Sequence, residues 1–369
     1  MKTFDEQLAA KFAARWIETT EKMARGLNNL IATGEIDGEA TEKTRVFQED
    51  KMTIYHYKST SDTVCPVPML ICYALVNRQY MMDLQPDRSL IKNLLNLGMD
   101  IYMIDWGYAG KMDQFVEFDD YIDVYLSDAV DFVRKRTGVS AINLLGVCQG
   151  GTLSAIYTAL YPEKIRNLVL MVAPIDFSVD DGLLNVWARY INVDLMADTL
   201  GNIPGDFLNV GFLMLKPFSL MMDKYVNFLE SMDNPKNVES FLRMERWIFD
   251  SPDQAGATWK KFVKDLYQGN KLVKGELEIG NRKVDLKKIT QPILNIFAEQ
   301  DHLVPPSSSR PLEKYVGSRD ATTTAFPVGH IGIYVSSKTQ KNLPPLVADW
   351  LWERSTSRRP VTKLRHVAD

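Results

Sequence analysis

The sequence predicts an α/β protein: a mostly parallel, doubly wound sheet with a helical cap inserted into it. Three observations carry that reading. Short apolar runs alternate with amphipathic stretches before residue 176 and again after 286. Between them, over 177–285, the alternation stops and Trp, Met and Phe accumulate. And at Ala141–Gly151 an apolar run suited to a buried parallel strand ends in Gly146-Val-Cys-Gln-Gly150 and passes directly into a helical pattern.

The elements follow in order. Residues 1–40 are an N-terminal amphipathic helical segment: Phe4, Leu8, Phe12 and Trp16 recur every four positions, then Met23, Leu27, Leu30 and Ile31, with Gly34 as a stop. Such a stripe either docks on its own domain or serves a partner or a membrane surface, and both readings stay open. Two strands, 44–48 and 52–57, open the core at 41–176, and 68–76 is a buried strand ending at Asn77-Arg78. A helix at 89–97 is stopped by Gly98, a strand runs over 100–107, and a helix over 119–136 ends at Gly138. After the glycine-framed turn come a helix at 152–160 and a buried strand at 165–174. Residues 177–285 form the cap, several helices separated by Gly and Pro as at Gly201-Asn-Ile-Pro-Gly205. Inserted after the strand that follows the turn's helix, it is placed to cover the C-terminal strand edge, where open α/β sheets hold their ligands. The core resumes over 286–354 with a strand at 292–301, a helix at 307–316, a strand at 321–327 and a closing helix at 346–352. The basic tail, 355–369, is expected to be disordered.

Composition narrows the function classes. With 46% hydrophobic and 24% charged residues in 369, the chain is an ordinary globular protein with ample core material. A net charge of −4 gives no general pull toward nucleic acid. There is no secretory h-region and no apolar run of transmembrane length, so a cytoplasmic protein without a transmembrane segment is expected. Cys65, Cys72 and Cys148 are odd in number and lack metal-ligand spacing, which points to reduced thiols and no metal.

The chemistry gathers at the turn. Gly-x-Cys-x-Gly between strand and helix is a nucleophile elbow with Cys148 in place of the commoner serine. The helix that follows offers its positive end to a thiolate. The rival reading is a buried structural cysteine beside a tight turn, but partners stand in the order nucleophile, acid, histidine of the α/β-hydrolase fold. Asp301 and His330 each sit just beyond a predicted strand. Of the four histidines, His56 lies in an early strand and His366 in the tail, and His302 is adjacent to Asp301, where a neighbour in sequence rarely faces the same way. One oxyanion donor is the N–H of Gln149; the other comes from the loop after the 68–76 strand, at Val76 or Asn77. Asp105 precedes the nucleophile and reads as a turn residue, and Arg78 and Lys111 as surface cations. A cysteine nucleophile keeps the acyl group as an activated thioester, which suits transfer to an acceptor better than hydrolysis.

These residues resemble the polyhydroxyalkanoate synthases, most of all the short class III catalytic subunits that work with a second, non-catalytic subunit, with class IV next. The likeness runs from Val46 to Arg354. It rests on Tyr73-Ala-Leu-Val-Asn-Arg, Ile104-Asp-Trp-Gly, Asn143-Leu-Leu-Gly-Val-Cys-Gln-Gly-Gly, Gly201-Asn-Ile-Pro-Gly, Phe241-Leu-Arg-Met-Glu, Phe249-Asp-Ser-Pro-Asp-Gln-Ala-Gly, Asp301-His-Leu-Val-Pro-Pro and Gly329-His-Ile-Gly-Ile-Tyr-Val. The resemblance implies polymerisation of short-chain (R)-3-hydroxyacyl-CoA, chiefly 3-hydroxybutyryl-CoA, into polyester with release of CoA. Cys148 would carry the chain and His330 would deprotonate it. Asp301 would activate the substrate's 3-hydroxyl, with His302 as a supporting neighbour. It further implies no cofactor beyond the CoA of the substrate, a homodimer, the second synthase subunit as partner, and a place at the surface of a cytoplasmic granule. Two alternatives share the residues: a Cys-nucleophile thioesterase or ester hydrolase, and a scaffold that has merely kept the elbow.

Overall fold

The computed structural model describes residues 2–34 and 40–356. The side chains of Phe4, Leu8 and Phe12, and the tail beyond residue 356, lie outside the described residues. Eight strands form the sheet: β1 (Thr44–Glu49), β2 (Met52–Tyr57), β3 (Met69–Cys72), β4 (Ile101–Asp105), β5 (Ile142–Val147), β6 (Ile165–Met171), β7 (Ile293–Ala298) and β8 (Ala321–Phe326). Their order across the sheet is β1-β2-β4-β3-β5-β6-β7-β8. β1 and β2, and β2 and β4, pair antiparallel; every other neighbour is parallel. The parallel part is covered on both faces, which is why β5 and β6 read as continuous apolar runs without alternation. Along β5, Leu144 enters one core cluster with Leu70, Ile156 and Leu168, while Leu145 enters the other with Ile71, Val169 and Leu294. Each such side chain contributes roughly 1.5–3 kcal/mol of transfer free energy on burial.

Several boundaries differ from those the sequence predicts. β3 stops at Cys72, and 73–76 leave the sheet as a loop. The expected helix at 307–316 is two short ones, Pro306–Ser309 and Leu312–Tyr315. Pro311 separates them: it has no N–H to continue the helical ladder, and its ψ of 7° takes the backbone out of the helical region. The closing helix runs over Ser337–Ser355, longer than expected, with Pro344 and Pro345 inside it. The 119–136 stretch begins as a short α turn, widens to π type over Tyr121–Leu126, and continues as Ser127–Thr137.

Between β6 and β7 the chain builds helices, among them Leu183–Tyr190, Val193–Leu200, Gly205–Leu213, Pro235–Phe249 and Gly256–Lys261. The N-terminal helix Lys2–Thr33 lies along the Pro235–Phe249 helix, and Asn29 Nδ2 donates to the carbonyls of Met232 (3.1 Å) and Asp233 (2.9 Å). It therefore docks on its own chain, yet Trp16 and Ile31 stay 75% and 78% exposed on it. No described helix is long and apolar enough to cross a membrane.

The elbow depends on one close approach. A Cβ added at Gly150 would lie 2.2 Å from the carbonyl oxygen of Cys72 and 2.5 Å from that of Tyr73, both backbone atoms that cannot step aside. Gly211, in the last turn of the cap helix Gly205–Leu213, has nothing within 4 Å of such a Cβ. Gly150→Ala is expected to destabilise the protein by about 3 kcal/mol, and Gly211→Ala to stabilise it by up to about 1 kcal/mol. Urea unfolding of the two variants checks both signs.

Candidate active site

Cys148, Asp301 and His330 come from three separate strand ends, β5, β7 and β8, and meet at the C-terminal edge of the sheet. Cys148 has φ 52° and ψ −124°, a conformation that side chains with a Cβ rarely adopt. Its neighbours hold it there. Its N–H donates to Met171 O (2.9 Å), its carbonyl accepts from Gly151 N (2.8 Å), and the fully packed helix Gln149–Leu160 begins at the next residue.

His330 Nδ1 lies 2.7 Å from Asp301 Oδ2, leaving Nε2 to serve the nearby sulfur of Cys148. The other carboxylate oxygen, Asp301 Oδ1, accepts from the backbone N–H groups of Leu303 and Val304, both at 2.9 Å. The Asp301 side chain is 0% exposed. Burial by itself would lower the pKa of His330; the charges of Asp301 and Cys148 and the hydrogen bonds to them outweigh it and raise it to about 10. His302 moves the other way: burial, Lys216 and His330 lower its pKa against the pull of Asp301. The sequence set His302 aside as the base, and here it lines a cavity beside His330 while the Asp301 bond goes to His330. His56 is remote, bound to Asp100 and stacked on Tyr102. Among the three thiols, burial pushes Cys72 up to about 12, against a weaker pull from Ser154, and raises Cys65 as well.

Gln149 is the first residue of its helix, so its N–H has no acceptor within that helix. Its side-chain Oε1 accepts from Leu75 N at 3.0 Å and fixes the 73–77 loop against the elbow. Val76 borders both cavities that open at Cys148, whereas Asn77 borders one and turns its amide to Ile248 O at 3.3 Å. Of the two loop residues the sequence offered, Val76 is the one that borders both cavities at Cys148. The two cavities differ in character. One, of ≈ 230 Å³, is walled by cap residues including Trp187, Phe207 and Trp259; the other, of ≈ 130 Å³, contains His302, His330 and Trp247.

A second polar cluster ties the cap to this loop. Asp250, just past the Pro235–Phe249 helix, accepts from Tyr80 OH (3.0 Å) and Tyr108 OH (2.5 Å). Trp247 Nε1 donates to Arg78 O at 2.7 Å. Arg78 and Gln79 donate to Asp105 Oδ2 at 2.8 and 2.9 Å, so the cation and the spare acid of the sequence reading pair with each other.

A family profile described as the alpha/beta hydrolase fold matches residues 67–337, and one described as the poly-beta-hydroxybutyrate polymerase N-terminus matches residues 21–94. The chain is 51% identical over 346 residues to a poly(3-hydroxyalkanoate) polymerase subunit PhaC of Allochromatium vinosum, across 93% of this chain and 98% of that protein. It is 51% identical to the corresponding subunit of a Synechocystis species (92% of each chain) and 48% identical to that of Thiocystis violacea (94% and 98%). The chain belongs to the poly(3-hydroxyalkanoate) polymerase family. That family is one of acyltransferases, here on the α/β-hydrolase fold. Among solved structures, a monoacylglycerol lipase of Paleococcus ferrophilus superposes with a TM-score of 0.50 at 15% identity, covering 85% of this chain and 100% of that one, a likeness of fold alone.

Sequence reasoning about a polymerase of this family missed Tyr80, Tyr108 and Asp250, and the cavity residues Gln254 and Tyr267. Asp250 and Gln254 stand inside the quoted Phe249–Gly256 motif, where polar side chains crowd a Pro/Gly-bounded turn. Tyr267 gave no signal beyond one more aromatic in a helical pattern.

Because the folded pKa of His330 lies above its ordinary 6.5, the stability it contributes is complete below that value and is lost as pH rises toward about 10. The stability difference between wild type and His330→Gln is therefore expected to shrink as pH rises through that window in denaturant titrations. An NMR titration of Asp301→Asn is expected to show the His330 midpoint displaced downward.

Proposed function

We propose that this chain polymerises (R)-3-hydroxyacyl-CoA, chiefly 3-hydroxybutyryl-CoA, into polyester through a thioester on Cys148. The observation that carries this is a cysteine, in place of serine, at an elbow served by a His330–Asp301 pair, in a chain whose relatives are polymerases. Nothing else is needed as a cofactor, since CoA arrives with each substrate and leaves as a product.

His330 takes the proton of the Cys148 thiol, and the sulfur attacks the acyl carbon of the substrate. The resulting oxyanion is held by the N–H groups of Gln149 and Val76. Collapse breaks the bond to the CoA sulfur, which leaves with the proton from His330. The acyl group keeps its thioester activation, as energy-rich as in the substrate. In the second half-reaction the 3-hydroxyl of another hydroxyacyl unit attacks this thioester. An ester bond forms, the bond to the receiving sulfur breaks, and the hydroxyl proton passes through His330 to that sulfur. The geometry favours His330 as base in both halves. Asp301 has one oxygen on His330 and the other on two backbone amides, with no exposed side-chain surface, so it acts by orienting and charging the imidazole instead of meeting the hydroxyl directly. His302, kept neutral beside the base, supports the shape of the smaller cavity.

The short-chain preference and the class III arrangement, with a homodimer, a second non-catalytic subunit and a cytoplasmic granule, rest on the motif resemblance. Exposed apolar side chains on the N-terminal helix, Trp16 and Ile31, and on the cap, Phe218 and Val210, are consistent with surfaces that meet partners or polyester.

Turnover of 3-hydroxybutyryl-CoA, with CoA and acyl products followed together, tests the reading. Wild type is expected to release CoA and form insoluble polyester, with Cys148→Ala reduced by at least about a thousandfold. Release of free 3-hydroxybutyrate instead would establish a thioesterase. Silence, persisting when the second subunit of a relative is added, would sink the polymerase.

A further inference from the structure

The larger cavity beside Cys148 is apolar almost throughout; besides Gln149, whose side-chain oxygen accepts from Leu75 N–H, two polar side chains break that lining. Gln254 is 5% exposed and lines the cavity. Its backbone is held by Ile203, N–H to carbonyl in both directions at 2.9 Å, but its side-chain amide has no hydrogen-bond partner among the described residues. Tyr267 lines the same cavity from the far end of the cap. Its ring is wedged against Phe177, at 4.9 Å and nearly perpendicular, and against Phe262 at 6.0 Å, while its hydroxyl is likewise without a partner among the described residues. Burial, with the nearby Cys148, pushes the phenol pKa up, so the group remains a neutral O–H donor.

A polar side chain facing a cavity loses its water when a ligand fills that cavity, and an amide or hydroxyl then left without a partner costs on the order of 1–3 kcal/mol. Two of them facing one cavity that ends at the nucleophile call for a ligand that supplies acceptors there. The rest of the wall, with Trp187, Phe207 and Trp259, calls for hydrocarbon between those acceptors. An oligoester of a 3-hydroxy acid has this composition. Its carbonyls accept hydrogen bonds and donate none, and they recur at a fixed interval along an otherwise apolar chain.

We infer that the Cys148 cavity walled by the cap is the subsite for the ester-bearing part of the acyl chain, with the Gln254 amide and the Tyr267 hydroxyl donating to its ester carbonyls. The assignment rests on the polymerase reading and adds to it two residues that discriminate an ester chain from a hydrocarbon of the same length. Their absence would leave the cavity a simple apolar slot, which distinguishes equal-length chains poorly, whereas a site built to hydrogen-bond rejects an analogue that cannot answer.

Two thioesters that acylate once and carry no free hydroxyl separate these cases: 3-(butanoyloxy)butanoyl-CoA and its hydrocarbon isostere 3-methyloctanoyl-CoA. The kcat/KM for CoA release in the acylation step is measured for each with wild type, Tyr267→Phe and Gln254→Met. Wild type is expected to prefer the ester-bearing thioester by roughly tenfold or more, and each variant to lose most of that preference. Tyr267→Phe keeps the ring contacts, so its effect reads the hydroxyl alone. No preference in wild type, a preference retained in both variants, or equal slowing of both thioesters would overturn the assignment. The polymerase reading fails separately, as silence of wild type toward 3-hydroxybutyryl-CoA.

Discussion

The active site hangs on the backbone of Cys148. A residue with a Cβ at φ 52° is held uphill by its surroundings, and those surroundings are the sheet itself. β5 delivers the chain, Met171 at the end of β6 takes the Cys148 N–H, and Gly150 presses on the backbone at the end of β3 with no room for a side chain. The strain has a use. The next N–H, that of Gln149, is left at a helix start with no acceptor inside that helix. In the proposed reaction, one local geometry would set both the nucleophile and the first oxyanion donor. The Gln149 side chain holds the 73–77 loop, with Val76 on it, against the elbow through Leu75.

The chemistry then follows from contrasts in environment. Asp301 is buried but fully engaged, so its charge is tolerated and acts on His330. His330 is buried and still favours the proton, because its opposite charges outweigh desolvation; His302, a few residues from it in space, lacks that balance and favours the neutral form. In the proposed reaction, a single base poised between an acid and a thiol has one proton to move in each half-reaction. That is sufficient for transfer between a sulfur and a hydroxyl when both pass through the same point. Cys72, as buried as the others and without a cation, is silenced by the same desolvation that His330 overcomes.

Much of this was legible in the sequence, for identifiable reasons. Parallel strands buried on both faces leave unbroken apolar runs, and the residues just beyond them are the ones a sheet edge presents, so Cys148, Asp301 and His330 stood out together. The end of β3 did not. Residues Tyr73–Val76 are as apolar as the strand before them, yet leave the sheet as a loop packed in the core; a run of hydrophobic residues reports burial, not ladder pairing. The break at Pro311 was legible in principle but was read through. The cap was recognised only as helical and aromatic. Its polar contributors act through tertiary placement: Gln254 is a turn residue and Tyr267 a helical aromatic until the cavity brings them to one wall.

The cap is more than a cover, because its anchorage and the oxyanion loop share residues. The end of the Pro235–Phe249 helix is fastened to the 77–80 stretch through Trp247 to Arg78 O, Asn77 to Ile248 O, and Tyr80 to Asp250. Arg78 in turn is locked on Asp105 and on Gly107 O, at the end of β4. Val76 stands one residue from this fastening, and Trp247 and Ile248 form part of the smaller cavity. A shift of the cap helix cannot leave the loop in place unless these bonds break together. The same bonds that keep the cap down also fasten the loop that carries Val76, so the proposed oxyanion site depends on a seated cap. A chain that fills the cavity under the cap without lifting it would preserve catalysis; one that pries the cap away would disarm it.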